Sequence, residues 1–266
     1  MRIFLCTVYV LFGAVSLCCA QHQTEITKEQ LDPINRTLPS VPYVEFGNNR
    51  RGEAFHILVV GNSLSFHSKA ENIGWLYENG MAASASDRDY VHQLLKMTDS
   101  IMPDRQITVG IIFGVGFERN FATFDPAQYE HLLAWRPDVV LFQLGENVSF
   151  DEMNTPALFE QKYKELVRYF KKNGNPATIC ATTFWMEPVR HEVITQVALS
   201  TRSFLAELSH LVPLDKENLA KEEENYRGDK STWSVDGISM HPGDKGMCHI
   251  AREIFVIINA VFASKK

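Results

Sequence analysis

The sequence predicts an α/β protein, a three-layer α/β/α sandwich around a central, mostly parallel five-stranded sheet. Three observations predict it. Short continuous apolar runs recur along the chain, as strands buried on both faces require. Segments with a helical apolar period stand between those runs. The alternation holds over most of the length, with no repeat, low-complexity tract or linker to divide it.

The first run is FHILVVGNS at 55–63, which ends in Gly-Asn-Ser, a turn signal. QITVGIIFG at 106–114, DVVLFQLG at 138–145 and ATICATTFW at 177–185 repeat the pattern, and the weaker HLVPLD at 210–215 completes the five. Helical period falls at 87–100, 127–135, 156–173 and 189–209. A last helix is predicted at 244–262 behind Pro242, with Ile250, Ile254, Ile257 and Val261 on one stripe. Residues 21–52 are polar, carry Pro33, Pro39 and Pro42 and show no sustained period, so they read as an extended lead-in to a single domain at 53–266.

Residues 1–20 place Arg2 before an apolar run and end on Cys18 and Ala20, the small-x-small pattern of a signal peptide cut before Gln21. The expectation is a secreted or periplasmic protein. A transmembrane anchor would need about 20 apolar residues, more than this run supplies. A lipid anchor through Cys18 or Cys19 is disfavoured by the bulk of the residues before them. Of the 5 cysteines, only Cys180 and Cys248 lie beyond that segment, as two thiols or one disulfide. There is no CxxC and no HExxH, so no metal site is predicted. With 26 Lys+Arg against 32 Asp+Glu, nothing in the charge favours nucleic acid.

In open parallel sheets, ligands bind beyond the carboxyl ends of the strands. Four positions there or nearby carry chemistry: Gly61-Asn62-Ser63, Gly114-Val115-Gly116, Gly145-Glu146-Asn147, and His241 just before the last helix. A hydroxyl nucleophile, backbone and side-chain amide donors and an imidazole base are the parts of acyl transfer. Singly, each has a plainer reading: Ser63 as a cap, Gly116 as a hinge, Asn147 as a turn residue, His241 as a surface histidine. Their order along the chain argues for the chemistry. Nucleotide binding is not supported, for there is no GxxxxGK[ST], and GNSLS lacks the second Gly of the α/β-hydrolase elbow.

ILVVGNSLS, QLGEN and DGISMHPGDKGM together resemble the blocks of the SGNH hydrolases, the GDSL-type esterase and lipase family. The stretch ENIGWLYENGMAASASDRDYVH looks like a secreted bacterial subgroup of it. The resemblance runs from Ile57 to the last helix and implies an SGNH/flavodoxin-like sheet and a serine esterase without a cofactor. Ser63 would be the nucleophile and His241 the base, with Ser63 N–H, the Asn147 side chain and Gly116 or Gly114 N–H as oxyanion donors. It further implies a small acyl ester substrate, O-acetyl on carbohydrate by analogy.

Two departures stand out. Asn62 replaces the family's Asp before the Ser, and Ile238 stands where an acid is expected three residues before His241. Asp236, five residues before His241, is the nearest upstream acid; either it or a backbone carbonyl orients the ring, giving a triad or a dyad. Asp244 reads as the N-cap of the last helix. Asn62, His67, Glu118 and Trp185 are expected to touch substrate, against plainer readings as turn, cap, loop and packing residues. A non-catalytic glycan-binding or envelope protein with a relaxed site is the rival from another class, and a lipid-ester hydrolase the third option.

Overall fold

The structure is a computed structural model that describes residues 44–70, 75–172, 174–222 and 238–263. The expected signal at 1–20, most of the lead-in and Asp236 lie outside the described residues.

Six strands form one sheet: β1 (Val44–Gly47), β2 (Glu53–Gly61), β3 (Arg105–Phe113), β4 (Val139–Gln143), β5 (Ala177–Ala181) and β6 (Phe204–Ala206), in the order β1-β3-β2-β4-β5-β6. The last five are parallel, and β1 adds an antiparallel edge along β3. Without β1 the order is the flavodoxin-like 2-1-3-4-5, whose switch point lies between β2 and β4. The seven α-helices among the described residues are α1 (Tyr90–Ile101), α2 (Val115–Asn120), α3 (Glu130–Leu133), α4 (Pro156–Lys171), α5 (Pro188–Thr201), α6 (Leu211–Leu214) and α7 (Asp244–Ala263).

Both faces of the sheet are covered, which is why its strands read as continuous apolar runs. Side chains alternate along β2: Ile57 and Val59 join a core with Tyr90, Val91 and Leu94 of α1 and Met247, Ile250 and Ile254 of α7. Phe142 of β4 meets Tyr163 and Phe170 of α4, with ring centroids at 6.1 and 5.6 Å. α7 is long and apolar enough to cross a membrane, but in this fold its stripe packs into the core. Ile258 is the buried member of that stripe and Ile257 only partly covered, a shift of one position from the predicted face.

Three sequence expectations change. The sheet has six strands, because Val44–Gly47 of the polar lead-in pairs with β3. HLVPLD is not a strand: it carries α6, and Pro213 lacks the N–H a ladder needs. The real β6 hides inside the helical period predicted at 189–209. There α5 ends at Thr201, with Arg202 left-handed at φ 54 and Ser203 N–H donating to the Ala198 carbonyl at 2.8 Å. That is a Schellman stop without its usual glycine, so the sequence carries no visible signal for it.

Candidate active site

Ser63 stands two residues beyond the end of β2, after Asn62, and is half-buried. Its turn is held by Asn62, whose Oδ1 accepts from Leu64 N–H at 3.1 Å and whose carbonyl accepts from Ser65 and Phe66 N–H at 2.9 and 3.1 Å. An Asn side chain therefore holds the turn after the strand through its Oδ1, as the family's Asp could through a carboxylate oxygen. Gly61 is required by close approach, since a Cβ there would meet Ser65 Oγ at 2.0 Å.

His241 comes from the other end of the chain. It follows a 3-10 turn at Ile238–Met240, donates its N–H to the Ile238 carbonyl at 3.0 Å, and accepts from Ala220 N–H at 2.8 Å. Its Nε2 stands 3.0 Å from Ser63 Oγ, hydrogen-bonding distance between a hydroxyl and an imidazole 178 residues away. Trp185, after β5, sets its ring edge-on to His241 at 5.8 Å and donates its indole N–H to the Met240 carbonyl at 2.8 Å. Ile238 is fully buried with Trp75, Met81 and Ala82, so the place where the family expects an acid is used for packing.

The Gly-Met-Ala-Ala-Ser run joins the two halves of this pair. Met81 N–H donates to the Ser63 carbonyl at 2.8 Å, while Ser84 donates through its N–H at 2.8 Å and through its hydroxyl to the Asp244 carboxylate at the start of α7. Asp244 is thus not the N-cap predicted from the sequence: it is the first residue of the helix, and its carboxylate reaches across to Ser84.

Next to the Ser63 turn, a polar cluster joins three loops and α2. Glu118 of α2 is 0% exposed and accepts from Gly145 N–H at 2.6 Å, Asn147 N–H at 3.3 Å, Asn147 Nδ2 at 2.8 Å and Asn62 Nδ2 at 3.2 Å. Asn62 Nδ2 also donates to Glu146 at 2.8 Å, and Phe184 N–H donates to the other oxygen of that carboxyl at 3.0 Å. Burial of the Glu146 carboxyl and the neighbouring charge of Glu118 push it up to about 7, against the opposing pull of its N–H donors. Gly145 adopts φ 135, which a side chain would strain.

Two of the expected substrate contacts are corrected by this cluster. Glu118 and Asn62 are 0% and 1% exposed and spend their polar atoms on each other and on the loops, so neither faces a substrate. His67 is engaged locally: its Nδ1 bonds the Ser68 carbonyl at 2.6 Å, and burial lowers its pKa. Trp185 is the expected contact that lies against His241. Trp75 is a core residue. Gly114 N–H donates to the Gly61 carbonyl at 2.6 Å and is spent, whereas Gly116 lies in the first turn of α2, where N–H groups have no intrahelical acceptor. Sequence reasoning gave Glu146 no role, and it weighed Glu118 as a pocket residue against a solvated loop, where the structure has a buried helical turn. Nothing local marks either one, because their enclosure comes from loops distant in sequence. Cys180 and Cys248 are both free, and burial pushes the Cys180 thiol up to about 12.

No protein-family profile and no curated protein matches the sequence. Solved structures do. The family two carbohydrate esterase of Cellvibrio japonicus aligns at TM-score 0.50 and 16% identity over 82% of this chain and 64% of its own. That of Clostridium thermocellum, solved with cellohexaose, aligns at TM-score 0.50 and 13% identity over 80% of this chain and 66% of its own. A two-domain esterase active on acetylated mannans gives TM-score 0.49 and 16% identity over 79% of this chain and 50% of its own. The chain therefore spans between half and about two thirds of these three proteins. At such identities the likeness is one of fold, the α/β fold shared with the two family two carbohydrate esterases.

Proposed function

We propose that this chain is a serine esterase that removes small acyl groups, O-acetyl foremost, from carbohydrate. The observation that carries it is the 3.0 Å approach of Ser63 Oγ to His241 Nε2 at the switch point of a parallel sheet. His241 takes the Ser63 proton as Oγ attacks the ester carbonyl. The oxyanion that develops is met by Ser63 N–H, Gly116 N–H and the Asn147 side-chain amide. His241 then returns the proton to the departing sugar oxygen, and water hydrolyses the acyl-enzyme by the same route.

Asp236 is proposed to orient His241; a backbone carbonyl is the other candidate for that role. The half-buried Trp185 beside His241 offers an aromatic wall to the sugar or acyl group. The carbohydrate assignment draws on the shared fold with the two family two carbohydrate esterases and rests on analogy. Export to the cell exterior or periplasm, read from residues 1–20, fits a polymer substrate. Against a relaxed, non-catalytic site stands the paired geometry of Ser63 and His241.

The test is hydrolysis of p-nitrophenyl acetate, and release of acetate from acetylated xylan or mannan, beside Ser63→Ala. Activity in the wild type and none in the variant is expected. Equal activity in both would refute the assignment.

A further inference from the structure

Glu118 is a carboxylate fully enclosed by protein and accepting from neutral N–H groups on two separate loops. A buried carboxylate is costly unless its oxygens are satisfied, so such an arrangement fixes whatever satisfies it. One oxygen, Oε1, gathers Gly145 N–H, Asn147 N–H and Asn62 Nδ2, registering the loop after β4 against the residue that precedes Ser63. The other, Oε2, takes the side-chain amide of Asn147 at 2.8 Å.

That last contact matters because the two ends of an Asn side chain are nearly equal in size and its terminal torsion is broad. Packing alone distinguishes them poorly. A carboxylate distinguishes them by charge: it attracts the NH₂ end and repels the carbonyl oxygen. With one proton of Nδ2 given to Glu118, the second proton of the same nitrogen is held in a fixed direction, and Oδ1 is turned away. An Asn147 flipped the other way would face a developing oxyanion with the wrong end.

We infer that Glu118 is the positioning residue of the oxyanion site: through its carboxylate it sets the flip of Asn147 and the spacing of that amide from the nucleophile turn. This rests on the esterase reading above. Glu118 itself does not touch substrate, being enclosed beneath the loops.

The experiment is a double-mutant cycle on p-nitrophenyl acetate with Glu118→Gln and Asn147→Ala. Gln is isosteric but presents an amide where the carboxylate stood, so it can accept the flipped Asn147. Glu118→Gln is expected to lower kcat roughly 10- to 100-fold with KM changed less than about threefold, the mark of a lost transition-state contact. In the Asn147→Ala background the same substitution should change kcat by less than about threefold, because its target is already gone. A kcat within about threefold of wild type for Glu118→Gln, or an equal loss in both backgrounds, would overturn the inference; the second result would make Glu118 merely structural.

A measurement on the wild-type protein covers the case in which Glu118→Gln does not fold. The Asn147 side-chain amide resonance, assigned by its loss in Asn147→Ala, should show one downfield, exchange-protected proton. An amide pair typical of exposed Asn would refute the proposed contact without reference to activity. If the wild type shows no Ser63-dependent hydrolysis, the esterase reading fails and the resonance still decides the geometry. If hydrolysis depends on Ser63 but not on Glu118, only the positioning role falls.

Discussion

Replacing Glu146 by Gln should flatten the pH dependence of stability between about pH 4.5 and 7, and the size of the effect follows from the site. The Glu146 carboxyl is raised from 4.5 to about 7, first by burial and then by the charge of Glu118. A folded-state value above the unfolded one means that the native protein binds this proton more tightly. Across that window the folded state holds more protons than the unfolded state, so stability falls as pH rises and levels off above about 7. At about 1.4 kcal/mol per pH unit the full effect is on the order of 3 to 4 kcal/mol, falling toward about 2 once solvent reaching a half-buried residue is allowed for. Gln cannot ionise and removes this contribution. Urea unfolding of wild type and Glu146→Gln from pH 4.5 to 8.5 reports it, since titrating groups not coupled to Glu146 cancel in the difference and what remains belongs to the Glu146–Glu118 pair. The variant should gain on the wild type as pH rises through the window. A constant difference, or a variant that loses ground to the wild type as pH rises, would show that Glu146 is not held protonated by its surroundings.

The remaining expectations concern the reaction. Asn147→Ala should lower kcat by roughly 10² to 10³ with little change in KM, as loss of an oxyanion donor does, whereas an effect confined to KM would make Asn147 a ground-state binding group. Asp236→Asn should lower kcat by roughly 10⁴ if Asp236 fixes the imidazole tautomer; a value within about threefold of wild type would leave a Ser63–His241 dyad with the ring held by backbone. Ser63→Ala should remove hydrolysis while shifting unfolding free energy by less than about 1 kcal/mol, because a half-buried hydroxyl at a strand end supports little packing. A larger loss in urea titration would mean that the Ser63–His241 contact also holds the last helix in place.

Much of the site could be read from the order of residues along the chain. FHILVVGNS announces both a buried strand and the Ser63 turn that ends it, and His241 before Pro242 announces the entry to α7. The clearest misreadings share one cause. β6 was hidden inside a helical period because the helix stop at Arg202 uses a left-handed residue other than glycine, and β1 was hidden in a polar lead-in because an edge strand needs no continuous apolar run. In both places local composition carries no signal, and pairing with a distant strand supplies the order.

The sequence by itself determined the alternation of strands and helices and the strand ends at which chemistry is to be sought; it offered Ser63, Asn147 and His241 as candidates through their resemblance to the SGNH blocks. The alternation and the strand ends follow from apolar periodicity and from the turn residues that close each run. Only the tertiary structure decided that Ser63 and His241 meet at 3.0 Å, that Gly114 has spent its N–H on Gly61, and that Glu118 lies under Asn147 and Asn62 rather than in a solvated loop. The physical reason is burial. Whether a carboxylate faces water or four N–H groups depends on loops brought together by the sheet order β3-β2-β4, and no window along the chain contains them all.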